Sequence, residues 1–193
     1  MSEVINVGAA VGHADLIGAT AGRKAARALS EAVASVPATP WLALDFTAID
    51  MVSASAAREA FLGQLMDDLL ERGTLPVFVG LNAEALEEVS FAAEAVKRPV
   101  VAALKLSKGQ PVGLQVLGGI ESKQLETLRA VAQLGETDAK TAHQEASGTG
   151  TDTGVTAWNN RLATLSALGL LTERKSGKTK YYSLTLKGLI DGN

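Results

Sequence analysis

Three short apolar runs, WLALDF (41–46), LPVFVGL (75–81) and PVVAALKL (99–106), alternate with longer segments whose apolar positions recur every three or four residues. Runs this short suit strands covered on both faces, and the intervening period suits helices with one apolar side. That alternation restricts the first hundred residues to an α/β sandwich with a small mixed sheet. EVINV (3–7) reads as a further strand, and DLIGATAGRKAARALSEAVASV (15–36) as a helix stopped by Pro37 and Pro40. SASAAREAFLGQLMDDLLERG (53–73) reads as one amphipathic helix, capped by Ser53 or Ser55 and ended by Gly73. AEALEEVSFAAEAVKR (83–98) reads as another.

The pattern breaks at SKGQPVGLQVLGG (107–119), where glycines punctuate one possible strand, VGLQVL. From residue 122 the order is helix (SKQLETLRAVAQLG), helix (TDAKTAHQEA), a flexible turn (SGTGTDTG, 147–154) and helix (VTAWNNRLATLSALG). LLTERK and KYYSLTL then flank SGKT as a hairpin. A chain of 193 residues suits two small domains, placed at 1–117 and 118–193. Cysteine is absent, which excludes disulfides, thiol catalysis and cysteine-rich zinc sites. The N-terminus shows no secretion leader and no apolar run reaches spanning length, so a cytoplasmic protein that does not enter a membrane is expected.

Charge is uneven. The net charge is −3, yet five of the eighteen Lys and Arg (Arg174, Lys175, Lys178, Lys180 and Lys187) fall within 172–188 beside a single acid, Glu173. Four of them surround the glycine of RKSGKTK, where long side chains on a tight turn point to solvent and suit a polyanion. In the preceding helix Val155, Trp158, Leu162, Leu165 and Leu168 form the expected buried stripe. Thr156, Asn159, Asn160 and Arg161 are placed on the opposite face, with Thr153 at the entry. Asn is a poor helix former but reads base edges, and Thr and Arg reach phosphates.

The run WNNRLATLSALGLLTERKSGKTKYYSLT resembles the recognition helix and wing of MarR-like and ArsR-like winged helix regulators. The matching positions are Leu162, Leu165, Gly169, Leu170, the 174–180 turn, Tyr182, Leu184 and Thr185. The resemblance implies a C-terminal winged helix-turn-helix on double-stranded DNA, with Thr153, Thr156, Asn159, Asn160 and Arg161 toward the groove. Arg174, Lys175, Lys178 and Lys180 would hold phosphates. The longer turn before the third helix departs from that pattern.

LALDFTAIDMVSASAAREAF, with AGRKAARALSEAV upstream, resembles the STAS-like domains related to anti-sigma-factor antagonists. The resemblance implies dimerisation or sensing of a regulatory protein by the N-terminal domain. In signalling members a Ser preceded by Asp is phosphorylated; here Ala54 and Ser53 stand there, so that switch is not carried over. Ser53 and Ser55 are read as caps.

No chemistry emerges elsewhere. Gly18–Gly22 followed by Arg23-Lys24 misses the phosphate-loop spacing, and His13, His143, Asp45 and Asp50 form no metal set or acid–base pair. Arg23, Lys24 and Arg27 are either a solvated face or a partner for Glu84, Glu87, Glu88 and Glu94 of another subunit. The expectation is therefore a non-enzymatic DNA-binding regulator, dimeric, without cofactor or metal. The rival is a protein-interaction switch of the anti-sigma-factor-antagonist type, with the winged helix as docking surface.

Overall fold

A computed structural model describes residues 3–146 and 154–190. The chain divides into two compact units that meet at Gly119–Ile120, and the first is a mixed α/β sandwich. Its sheet contains β1 (Glu3–Asn6), β3 (Trp41–Asp45), β5 (Leu75–Val79), β6 (Val100–Ser107) and β7 (Gln110–Leu117), side by side in that order. The first four run parallel and β7 is antiparallel to β6. Lys108 (φ 50°) and Gly109 (φ 73°) turn the β6–β7 hairpin, the doubly left-handed turn that matches strand twist. A small second ladder pairs β2 (Asp15–Leu16) with β4 (Met51–Val52).

The helices are α1 (Val7–Val11), α2 (Gly18–Ala34), α3 (Ala54–Ala60), α4 (Gln64–Glu71) and α5 (Ala83–Ala95). Strands placed in chain order and joined by right-handed crossovers put their helices on one face of the sheet. The contacts agree, running from α1 to α2, from α2 to α3 and α4, and from α3 to α5. Ile5, Leu44, Phe78 and Ala102 form the sheet side of that core. The next row, Val4, Ala43, Val77 and Val101, points to the other face, and its last three members are buried as well. Both faces of the central strands are thus withdrawn from water, as their unbroken apolar runs require.

Three sequence expectations change. Val7 opens a short helix rather than ending β1, with the Asn6 side chain accepting from the Ala9 N–H as its cap. Residues 15–16 are strand, so the following helix starts at Gly18. The single helix expected over 53–73 is two, α3 and α4, separated at Phe61–Gly63. Ser53 does cap α3, its Oγ accepting from the Ala56 N–H at 3.3 Å.

Gly22 explains why a glycine sits inside α2. A Cβ there would meet the Ala56 carbonyl oxygen at 2.6 Å and the Ala56 Cα at 2.9 Å, so α2 and α3 cross backbone to backbone. Gly22→Ala gains about 1 kcal/mol of helix propensity. The clash is expected to outweigh it, for a net loss of about 1–3 kcal/mol. Urea denaturation measures this, and a net gain would show that the crossing can open.

The second unit consists of α6 (Ser122–Leu134), α7 (Ala139–Ala146), α8 (Val155–Ala167) and a hairpin of β8 (Leu171–Ser176) and β9 (Thr179–Leu184). Its core contains Leu128, Val131, Ala142, Trp158, Leu162, Leu165, Leu170 and Tyr182. The turn expected at 147–154 lies outside the described residues except for Gly154.

Candidate nucleic-acid interface

Helix α8 is oriented by Trp158, Leu162 and Leu165, which are buried where it packs on α6 and α7. Each residue turns a helix by about 100°, so the face opposite that stripe is centred on Thr156 and Asn160. Both are exposed. Asn159, also exposed, sits on one flank. Among the described residues no side-chain hydrogen bond engages Thr156, Asn159 or Asn160, which leaves an unpaired hydroxyl and two unpaired amides along one helix. Thr153 lies outside the described residues.

Arg161 is elsewhere. Two positions after Asn159, it emerges about 160° away round the helix. Its Nε donates to the Ala157 carbonyl at 3.3 Å, its Nη1 donates to the Lys123 carbonyl of α6 at 3.3 Å, and its guanidinium lies 4.5 Å over the Trp158 ring. Arg161 therefore joins α8 to α6 rather than standing beside the asparagines. Two members of the expected apolar stripe also differ: Val155 is 43% exposed and Leu168 only half-buried.

The hairpin closes on Gly177 and Lys178, between the paired Ser176 and Thr179. Gly177 alone of the two has positive φ (60°), which gives a type II′ turn. Its cations do not share one face. Directly opposed residues of a ladder lie on the same side, so Lys175 and Lys180 share the side of Glu173 and buried Tyr182. Arg174 stands on the other side, opposite Tyr181, with its guanidinium 5.0 Å from that ring.

Two carboxylates hold three of these cations. Arg174 donates through Nε and Nη2 to both oxygens of Glu136, at 2.9 and 2.7 Å. Lys180 donates to Glu173 Oε2 at 2.9 Å, the Tyr182 hydroxyl donates to the same oxygen at 3.3 Å, and Lys175 lies 4.0 Å from Oε1. The Arg174 hydrogen bond holds the Glu136 carboxyl below the ordinary carboxylate range, and Lys180 does the same for Glu173. In return Glu136 raises the affinity of Arg174 for its proton, and Glu173 that of Lys180. A depressed carboxyl contributes stability above its unfolded pKa of about 4.3 and loses it as pH falls through the folded value. At neutral pH these clamps are closed. Lys178, at the tip, has no ion pair among the described residues.

Glu136 was not anticipated as part of this site. It arrives because Thr137 forms an isolated antiparallel bridge with Tyr182, donating at 2.9 Å and accepting at 2.8 Å. The hairpin thereby becomes the outer part of a three-stranded arrangement, Thr137–β9–β8. The only sequence signal was the beta-compatible Thr137 after the Gly135 stop, too short a stretch to read as a strand.

Among the described residues no group of three or more His, Asp or Glu is placed to hold a metal ion. No helix among them is long and apolar enough to cross a membrane. No protein-family model matches the chain, no curated protein matches it, and no solved structure does.

Proposed function

We propose that residues 120–190 form a winged helix-turn-helix that binds duplex DNA. In this reading α8 lies in the major groove and the β8–β9 hairpin lies as a wing on flanking phosphates. The observation that carries it is the outward face of α8, where Thr156 and Asn160, with Asn159 on the flank, offer hydroxyl and amide groups that make no side-chain hydrogen bond among the described residues. An Asn amide pairs in two places with the adenine edge, and folding gains nothing from adjacent asparagines in a helix. The order helix, bridging residue, two helices and hairpin supports the same reading. Lys175, Lys178 and Lys180 are then the phosphate contacts, and the N-terminal STAS-like unit dimerises or senses a partner.

The test is a gel-shift titration of the full chain against bound fragments selected from genomic DNA, beginning upstream of its own gene. Asn160→Ala is expected to weaken the selected site by about 1–3 kcal/mol while leaving random duplex unchanged. Equal loss on both would remove Asn160 from base reading.

One observation favours the rival, a protein-interaction switch with this unit as docking surface. Glu136 and Glu173 neutralise part of the wing, which makes it a weaker polyanion surface than its sequence implies. Salt separates the two readings. DNA affinity falls linearly in log–log form with a slope near −0.9 per phosphate contact. A docking surface would show no such dependence on duplex DNA.

A further inference from the structure

We propose that the outward faces of α2 and α5 form a self-complementary surface that docks a second copy of this chain. Opposite its buried stripe of Gly22, Ala25, Leu29 and Val33, α2 presents Arg23, Lys24 and Arg27 to solvent. Opposite Ala85, Val89 and Ala92, α5 presents Glu84, Glu87, Phe91 and Glu94.

Among the described residues Lys24, Arg27, Glu84, Glu87 and Glu94 make no ion pair. Phe91 is 68% exposed in the middle of the acidic stripe. Arg23 is already engaged within the chain, donating to Thr20 Oγ1 at 3.3 Å and lying 3.8 Å from a Glu59 oxygen. Glu94 lies in the last turn of α5, against the helix dipole. Glu84 and Glu88, four residues apart, repel along α5. Glu88 does have an internal role, since it accepts from the Ala54 N–H at the start of α3.

The topology makes the two stripes fit each other. The strand order lays α2, then α3 with α4, then α5 across one sheet face, and α3 touches both flanking helices. A two-fold axis lying in the interface, parallel to the helix layer and running along α3, carries α2 of one copy over α5 of the other, and the converse. Such an isologous interface uses each complementary pair twice. The second copy covers Phe91 and brings cations to Glu87 and Glu94. This surface is independent of DNA binding by residues 120–190.

Sedimentation of the full chain without DNA tests it. A salt-sensitive dimer is expected, weakening between about 0.1 M and 1 M salt as the screening length falls from roughly 10 Å to 3 Å. Lys24→Glu with Arg27→Glu is expected to raise the dissociation constant about 100-fold, because each reversal occurs twice in the interface. Glu87→Lys with Glu94→Lys is expected to do the same. Mixing the two reversed proteins is expected to restore a one-to-one dimer, which no loss of folding can mimic. Phe91→Ala is expected to weaken the dimer without removing its salt dependence. A wild-type chain that stays monomeric at tens of micromolar, or reversed proteins that do not pair on mixing, would overturn the proposal. So would a stable complex formed only with a basic partner of another sequence.

Discussion

Replacing Lys178 and Lys180 by Glu is expected to weaken binding to every duplex about 100-fold near 0.1 M salt, if the proposed wing rests on phosphates. Releasing one counterion per contact contributes about 1.2 kcal/mol at that salt concentration, so two lost contacts give roughly two decades. The log–log salt slope should flatten by about 1.8. The acids predict the opposite sign. Lys175 and Lys180 share Glu173, and Arg174 is held by both oxygens of Glu136. Phosphates must displace these carboxylates before three of the four cations can contribute. Glu136→Gln with Glu173→Gln should therefore tighten binding to random duplex and steepen the slope, while leaving the preference set by Asn160 in place. Isothermal or gel-shift titrations across a salt series measure both variants. Unchanged affinity in the lysine variant would remove the wing from the mechanism, and unchanged affinity in the glutamine variant would show that the clamps do not compete with DNA.

The clamps mark a limit of reading along the chain. Composition locates a basic turn because its residues are neighbours. Glu136 neutralises Arg174 from a position 38 residues earlier, through a one-residue bridge that leaves no periodic signal. The α8 face was legible for Thr156 and Asn160 because Trp158, Leu162 and Leu165 fix its rotation. Arg161 follows Asn160 by about 100°, on the flank opposite Asn159, and its guanidinium folds back over the Trp158 ring. Its bond to the Lys123 carbonyl depends on where α6 packs, which no local pattern contains. In the first unit the alternation of apolar runs with helical periods carried the α/β class and the mixed sheet. The missed division of α3 from α4 had a signal of a different kind. In a single straight helix, Ala56, Ala57 and Ala60 would lie about 180° from Leu65, Met66 and Leu69. All six are buried on the same core, so the chain breaks to reverse the phase.

That break is filled by Phe61, and Phe61→Ala should cost about 3–5 kcal/mol of stability. The ring is 1% exposed and lies 5.0 Å from Phe46, edge-on, and 5.5 Å from Phe78, also edge-on. Phe46 and Phe78 stack at 5.2 Å, so the three rings join the end of β3, the α3–α4 break and the middle of β5. Edge-to-face pairs contribute about 0.5–1.5 kcal/mol each beyond area burial. Truncating Phe61 removes two of them and leaves a cavity that cannot easily collapse. The rings around it are held by a strand and a strand end, and the backbone at 61–63 is already committed to turning. Phe61→Leu, which keeps most of the volume and loses both ring pairs, should cost about half as much. Urea denaturation followed by fluorescence of Trp41, a buried strand residue of the same unit, reads both variants. A loss under about 1 kcal/mol for the alanine variant would mean that α3 and α4 can rejoin over the vacated space, and that the phase reversal does not hold them apart.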